Sequence, residues 1–289
     1  MQQKYFREKW QRINEKSHTK KERNDVMKTL VCIKQVPGTT EVEVDDNGNL
    51  IRSGVDAKMN PYDLYALETA LKLQEDQKGE VSVITMGPPQ SKEVIREAYM
   101  MGVNQGFLLT DRRFAGADVL ATSYTLAQGA YQAGDFDLIL CGKQTTDGDT
   151  AQVGPEMAEY LGIPHVANVK TIVECKENSL IVEVEMPTSI QTVEVNFPCL
   201  ITVEKGIFQP RLPSYRLKKK TKYQEITELS LDHFKDINEK RYGLSGSPTQ
   251  VERIFPPEQN TTSERWEGEN LGDKLYQTLV DLKFLYENK

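Results

Sequence analysis

From position 28 onward, apolar runs of strand length alternate with helix-length stretches in which apolar residues recur every three or four positions. Thr29-Leu30-Val31-Cys32-Ile33 predicts a first buried strand. Residues 62–77 predict a helix with Leu64, Leu67 and Leu71 along one row and Ala66, Ala70 and Leu73 along the next. Val81 to Met86 reads as a second strand, 91–101 as a helix, Phe107-Leu108-Leu109 as a third strand and 119–131 as a helix. Phe136 to Cys141 is a fourth strand that runs straight into Gly142. Strands that alternate with amphipathic helices build βαβ units, so the expected fold is α/β, a doubly wound, mainly parallel, Rossmann-like sheet.

Past Leu161 the pattern changes. Residues 171–173, 180–184 and 192–195 read as shorter strands with polar turns between them, an antiparallel extension of the sheet. Residues 199–203 form one more buried strand, with Pro198 tolerable at its leading edge. The chain from Ser245 is rich in Ser, Pro, Thr and Glu until Leu271, Leu275, Leu279 and Leu282 mark a last amphipathic helix. Compact domains seldom need so long a polar connection, which predicts a C-terminal helical arm reaching another subunit. The expected division is an N-terminal extension at 1–26, an α/β domain at 27–228 and the arm at 229–289. The extension carries eight Lys/Arg against four Asp/Glu.

Composition narrows the function classes. Apolar residues are 38%, charged residues 27% and the formal net charge is -7, values of a globular chain that repels phosphodiester backbones, so nucleic acid is not an expected partner. No apolar window reaches membrane-spanning length, and residues 1–26 lack a signal-peptide core, which predicts a cytoplasmic protein with no membrane insertion. Cys32, Cys141, Cys175 and Cys199 lie far apart without metal-site spacing, and His18, His165 and His233 do not cluster. Neither a metal centre nor a catalytic acid, base or nucleophile is expected of this chain.

In a doubly wound sheet, ligands bind beyond the carboxyl ends of the strands, near the reversal of strand order. The loop after the fourth strand runs from Gly142 to Glu156 and contains Gly148 and Gly154. Asp149 or Thr150 would cap the helix that runs to Leu161, and free amides there would suit a phosphate or pyrophosphate. A turn with no ligand reads the same way. Neither G-x-x-x-x-G-K-S/T nor G-x-G-x-x-G follows the first strand, which argues against the usual kinases and nicotinamide enzymes.

Three segments together resemble the β subunit of electron-transfer flavoproteins: Leu30 to Pro37 followed by Met59-Asn60-Pro61-Tyr62-Asp63; Thr85-Met86-Gly87-Pro88-Pro89; and the loop 142–156. Their order and spacing match over about residues 27 to 255. The resemblance implies an adenine-nucleotide-binding sheet. It carries over as nucleotide contacts Cys32, Asn60, Pro61, Tyr62, Asp63, Met86, Gly142, Lys143, Gln144, Thr145, Thr146, Asp147, Gly148, Asp149, Thr150, Ala151, Gln152 and Val153. Helix capping accounts equally for Asn60 and Asp63, and core packing for Cys32 and Met86.

Members of this family hold either structural AMP or a second FAD that accepts hydride from NADH and bifurcates its electrons. The first kind typically reads D-D-D-x-N-Q-T in this loop. Here Asp147-Gly148-Asp149-Thr150-Ala151-Gln152-Val153 is similar to the bifurcating branch, and Gly148 removes bulk and charge beside a diphosphate, which favours FAD over AMP. The implied partners are an α subunit, ferredoxin or flavodoxin, and a flavin-dependent dehydrogenase of lactate or acyl-CoA type. On this resemblance the chain is an electron-transfer subunit rather than an enzyme on its own. Leu212, Tyr215 and Leu217, beside Lys218, Lys219 and Lys220, stand where the family docks that dehydrogenase. A stand-alone nucleotide-sensing module is the alternative from another class.

Overall fold

The computed structural model describes residues 26–38, 57–250 and 263–285. They fall into two compact units, with 26–38 and 57–250 in the first and 263–285 in the second. The first unit runs through β1 (Lys28–Cys32), β2 (Gln35–Pro37), β3 (Ala57–Met59), α1 (Pro61–Gln77), β4 (Glu80–Met86), α2 (Lys92–Met101), β5 (Gln105–Leu109) and α3 (Val119–Ala133). It continues with β6 (Leu138–Gly142), α4 (Val153–Leu161), β7 (His165–Cys175), β8 (Ser179–Met186), β9 (Ser189–Asn196), β10 (Cys199–Val203), α5 (Tyr215–Lys220) and β11 (Thr227–Leu229).

Nine strands form one sheet in the order β11-β5-β4-β1-β6-β10-β7-β8-β9. Every neighbouring pair from β11 to β7 is parallel, and β7, β8 and β9 pair antiparallel. The central strands are apolar throughout because both faces are covered. Val31, Val83 and Leu140 face a core with Leu67 and Leu71 of α1 and Ile95 of α2. Leu30, Ile84 and Ile139 face the opposite core, with Tyr124 and Ala127 of α3 and Met157 of α4. Helices on both faces make the sheet doubly wound, as the alternating pattern predicts.

The antiparallel extension is longer than its apolar runs suggest, with strands of 11, 8 and 8 residues. Most of β7 and β9 and alternate positions of β8 are at least partly exposed, so polar residues interrupt the apolar run without ending the hydrogen-bonded ladder. The three-residue strands β2, β3 and β11 lack enough apolar residues to be seen in advance. Helix α4 starts at Val153, later than the expected caps. Gln152 stands at the N-cap without a side-chain bond, because Asp149 and Ala151 take left-handed φ angles of 50° and 56° in the preceding turn.

The segment 229–250, which the sequence reading assigns to the arm, belongs to the first unit and packs on it through a few buried side chains. Leu231, Phe234 and Tyr242 join the core over α3, and Tyr124 Oη donates to Asp236 Oδ2 at 2.6 Å. Arg241 completes the cluster, 2.9 Å from Asp236 and 3.8 Å above the Tyr124 ring. In the second unit α6 (Leu271–Asp281) exposes Leu275 and Tyr276, while Lys274 Nζ lies 4.6 Å over the Trp266 ring. Among the described residues no helix is long and apolar enough to cross a membrane.

Gly243 tests the packing of 229–250, because its φ is +51° and an added Cβ would collide with the Arg113 and Ala115 carbonyl oxygens. Gly243→Ala is expected to lower the unfolding free energy by about 2–4 kcal/mol, from backbone strain and overpacking together. Urea denaturation measures it; an unchanged midpoint would mean that the segment does not pack as described.

Candidate nucleotide site

The strand order reverses between β1 and β6, since the chain leaves β1 towards β4 and returns to the other side of β1 as β6. Two loops part company at that point, one after Cys32 and one after Gly142, leaving a crevice at the carboxyl edge of the sheet. Asn60 and Asp63, at the start of α1, tie the two loops together. Asp63 Oδ2 accepts the Lys34 amide at 2.7 Å, and Asp63 Oδ1 accepts Asn60 Nδ2 at 2.9 Å. Asn60 Nδ2 also donates to the Gln144 carbonyl at 2.9 Å, while its Oδ1 accepts the Thr146 amide at 3.3 Å.

Both side chains are buried, Asn60 at 0% and Asp63 at 5% exposure, and neither caps α1 with a side-chain bond. Capping is therefore not their role. Gly142 permits the approach, because a Cβ there would stand 2.5 Å from Asp63 Oδ1 and 2.6 Å from the Tyr62 carbonyl carbon.

Beyond this knot the loop opens into exposed residues. The Gly148 amide donates to Thr145 Oγ1 at 3.2 Å and the Asp149 amide to the Thr145 carbonyl at 3.0 Å. Among the described residues, the amides of Thr150, Ala151, Gln152, Val153 and Gly154 meet no hydrogen-bond acceptor. Ala151 is left-handed and Gln152 right-handed at φ -108°, ψ -25°, an alternation that turns successive N–H groups to one side as an anion cradle. The start of α4 adds its dipole in the same place. This donor set fits a phosphate or diphosphate.

Two nearby carboxylates are paired with lysines and a third accepts from a neutral amide. Lys34 Nζ reaches Asp147 at 2.7 Å across the crevice, Lys143 Nζ reaches Glu204 at 2.7 Å, and Gln144 Nε2 donates to Asp149. The Asp147 carboxyl is lowered in spite of its partial burial, first of all through its hydrogen bonds with Lys34. Lys34 is the site residue that sequence reasoning missed. Its available signal was position, as one of the first residues beyond a central strand.

Cys32 lies beneath the crevice in the core, its Sγ 3.7 Å from Met157 Sδ. The facing Cys141 thiol is held well above the usual thiol range by its hydrogen bond with Cys32 and by burial. Met86 is half-buried against the same core, at the end of β4. Pro61 and Tyr62 are half-buried at the head of α1, next to Gly142. Away from this edge, Leu212 is 87% and Tyr215 71% exposed, whereas Leu217 is half-buried in α5.

The model of the electron transfer flavoprotein domain matches residues 47–233. The chain belongs to the electron-transfer flavoprotein β-subunit family. It is 43% identical to the electron transfer flavoprotein subunit beta of Megasphaera elsdenii over 243 residues, 81% of this chain and 89% of that relative. The caffeyl-CoA reductase-Etf complex subunit CarD of Acetobacterium woodii is 43% identical over 233 residues, 80% of this chain and 88% of its own length. Protein FixA of Bradyrhizobium diazoefficiens is 38% identical over 271 residues, 91% of this chain and 93% of its own.

In this β-subunit fold the Asp63 carboxyl has a titration of its own. Burial pushes it from 3.8 up to about 7, against the pull of Asn60, the Lys34 amide and charge, and the Gly142 amide. A raised carboxyl favours the protonated form in the folded state. Its stabilising contribution is complete below about pH 4 and is lost as pH rises through about 7. Asp63→Asn cannot ionise, so its stability relative to the native protein is expected to improve across that window. Urea midpoints for both proteins at several pH values check this, and parallel curves would refute a raised Asp63.

Proposed function

We propose that this chain is the β subunit of a heterodimeric electron-transfer flavoprotein and that its amide cradle holds FAD. The observation that carries this reading is the turn from Gly148 to Gly154, with amides from Thr150 onward that meet no acceptor among the described residues, left-handed Ala151 and no side chain at 148. A bound FAD would supply hydride acceptance from NADH and division of the two electrons between a ferredoxin or flavodoxin and the flavin of an α subunit.

The chain's own residues bind and orient. Val153 and Gly154 present helix-start amides to a diphosphate, while the left-handed turn adds those of Ala151 and Gln152. Asn60 and Asp63 hold the loop from below, so the cradle is formed before the ligand arrives. Lys34 offsets the Asp147 carboxylate that would otherwise repel a phosphate. Leu212, Tyr215 and Leu217 form the docking side, towards a flavin dehydrogenase of acyl-CoA or lactate type. The caffeyl-CoA reductase complex of the relative from Acetobacterium supports the acyl-CoA type. The apolar face of α6 is the surface for an α subunit.

A second reading, structural AMP in place of FAD, is favoured by Asp147 and Asp149, whose carboxylates flank the cradle. Flavin released from the purified heterodimer separates the two: two FAD per dimer is expected, and one FAD with one AMP would overturn the first reading. An added Cβ at Gly148 would stand 3.3 Å from Thr145 Oγ1, a tight contact that a shift of a few tenths of an ångström by this exposed turn relieves. Gly148→Asp therefore folds and places a carboxylate beside the diphosphate. We expect the β-bound FAD to weaken at least about tenfold, or about 1.4 kcal/mol, with the other flavin retained. Unchanged flavin stoichiometry and affinity would refute the placement of the cradle.

A further inference from the structure

The loop that carries Leu212 is fastened on both sides. Glu68, midway along α1, has a carboxylate only 2% exposed. It accepts three N–H groups of one residue: the Arg211 amide at 3.0 Å, Nε at 2.8 Å and Nη2 at 2.9 Å. Arg211 Nη1 extends to Glu75 at 2.9 Å, seven residues further along the same helix face. On the far side of Leu212, the Ser214 amide donates to the Met100 carbonyl at the end of α2, at 2.8 Å, and Ser214 Oγ caps α5. Pro210 and Pro213 restrict the backbone between these ties.

A buried ion pair of this kind is poor evidence for stability, because desolvation offsets most of its attraction, and setting geometry is the better-attested use of such pairs. What the geometry presents here is Leu212, 87% exposed at the point between the two ties. Exposed beside it stand Arg216, Lys218, Lys219 and Lys220, cations that complement an acidic rim.

We propose that Arg211 is a positioning residue for partner docking: its fork on Glu68 and Glu75 pre-sets the 210–214 loop so that Leu212 enters an apolar socket rimmed by carboxylates on an acceptor dehydrogenase. This rests on the reading of Leu212 as a docking residue. Association of a flexible loop loses affinity to the ordering of its backbone and side chains, and the clamp removes that cost in advance. Arg211 acts through Leu212 and needs no contact with the partner.

Arg211→Met alone would leave the Glu68 carboxylate buried without its partner, so the test is the double variant Arg211→Met, Glu68→Gln. There the amide oxygen at 68 still accepts the main-chain N–H of 211. The purified heterodimer is assayed for electron delivery to an acyl-CoA-type and a lactate-type flavin dehydrogenase, each titrated as acceptor. The double variant is expected to raise the KM for the dehydrogenase about three- to tenfold with kcat within about twofold of native. Leu212→Ala is expected to raise that KM about tenfold or more. The triple variant should match Leu212→Ala within about twofold, since a positioning residue has nothing left to position.

A raised KM for Leu212→Ala with an unchanged KM for the double variant overturns the role of Arg211. A further rise in the triple variant does so too. An unchanged KM for Leu212→Ala, or delivery to neither dehydrogenase by the native heterodimer, overturns the docking reading instead.

Discussion

The hydrogen bonds of Asn60 and Asp63 hold together three parts of the chain that sequence separates widely: the exit of β1, the head of α1 and the loop after β6. Two buried polar side chains are costly unless every lone pair and proton finds a partner. Their partners here are main-chain groups of Lys34, Gln144 and Thr146, so satisfying the side chains fixes the backbone. The crevice at the strand-order reversal therefore has a floor of fixed shape. A slip of either loop would strand a polar group in the interior.

The same helix also holds the loop of Leu212. Asp63 holds the nucleotide loop, and Glu68, five residues on, holds Arg211 and the loop of Leu212. At 1.5 Å per residue these anchors are only about 7–8 Å apart along α1. Its inward row, Leu67 and Leu71, is fully buried against the sheet. One rigid element thus references both the cradle and the docking loop to the central strands. The strain of Asp149 and Ala151 in left-handed conformation is carried by this frame, with Thr145 and Gln144 bonded across the turn.

How far all this could be read in advance depended on the range of each interaction. The central strands announced themselves, since burial on both faces demands uninterrupted apolar residues, and α1 to α4 announced themselves by their spacing. The extension was legible in kind but shortened, because one solvated face breaks the apolar run. Asn60 and Asp63 were legible as site residues, with helix capping an equal account of them. A polar residue before a helix looks like a cap, and only the fold shows that α1 starts against Gly142, where these side chains turn inward. Asp149 and Thr150 failed as caps for a related reason, since the turn consumes them before α4 begins.

Sequence alone determined the layer architecture, the family resemblance and the segments that line the carboxyl edge of the sheet, because periodicity and local motifs are properties of neighbouring residues. It could not determine that Lys34 meets Asp147, that Arg211 clamps Glu68, or that 229–250 belongs to the body. Each of these joins positions more than a hundred residues apart, and their pairing exists only once the sheet order has brought the chain back on itself. The tertiary structure decided them through one requirement: buried charge and buried polar atoms take whichever partner the packed chain places within reach.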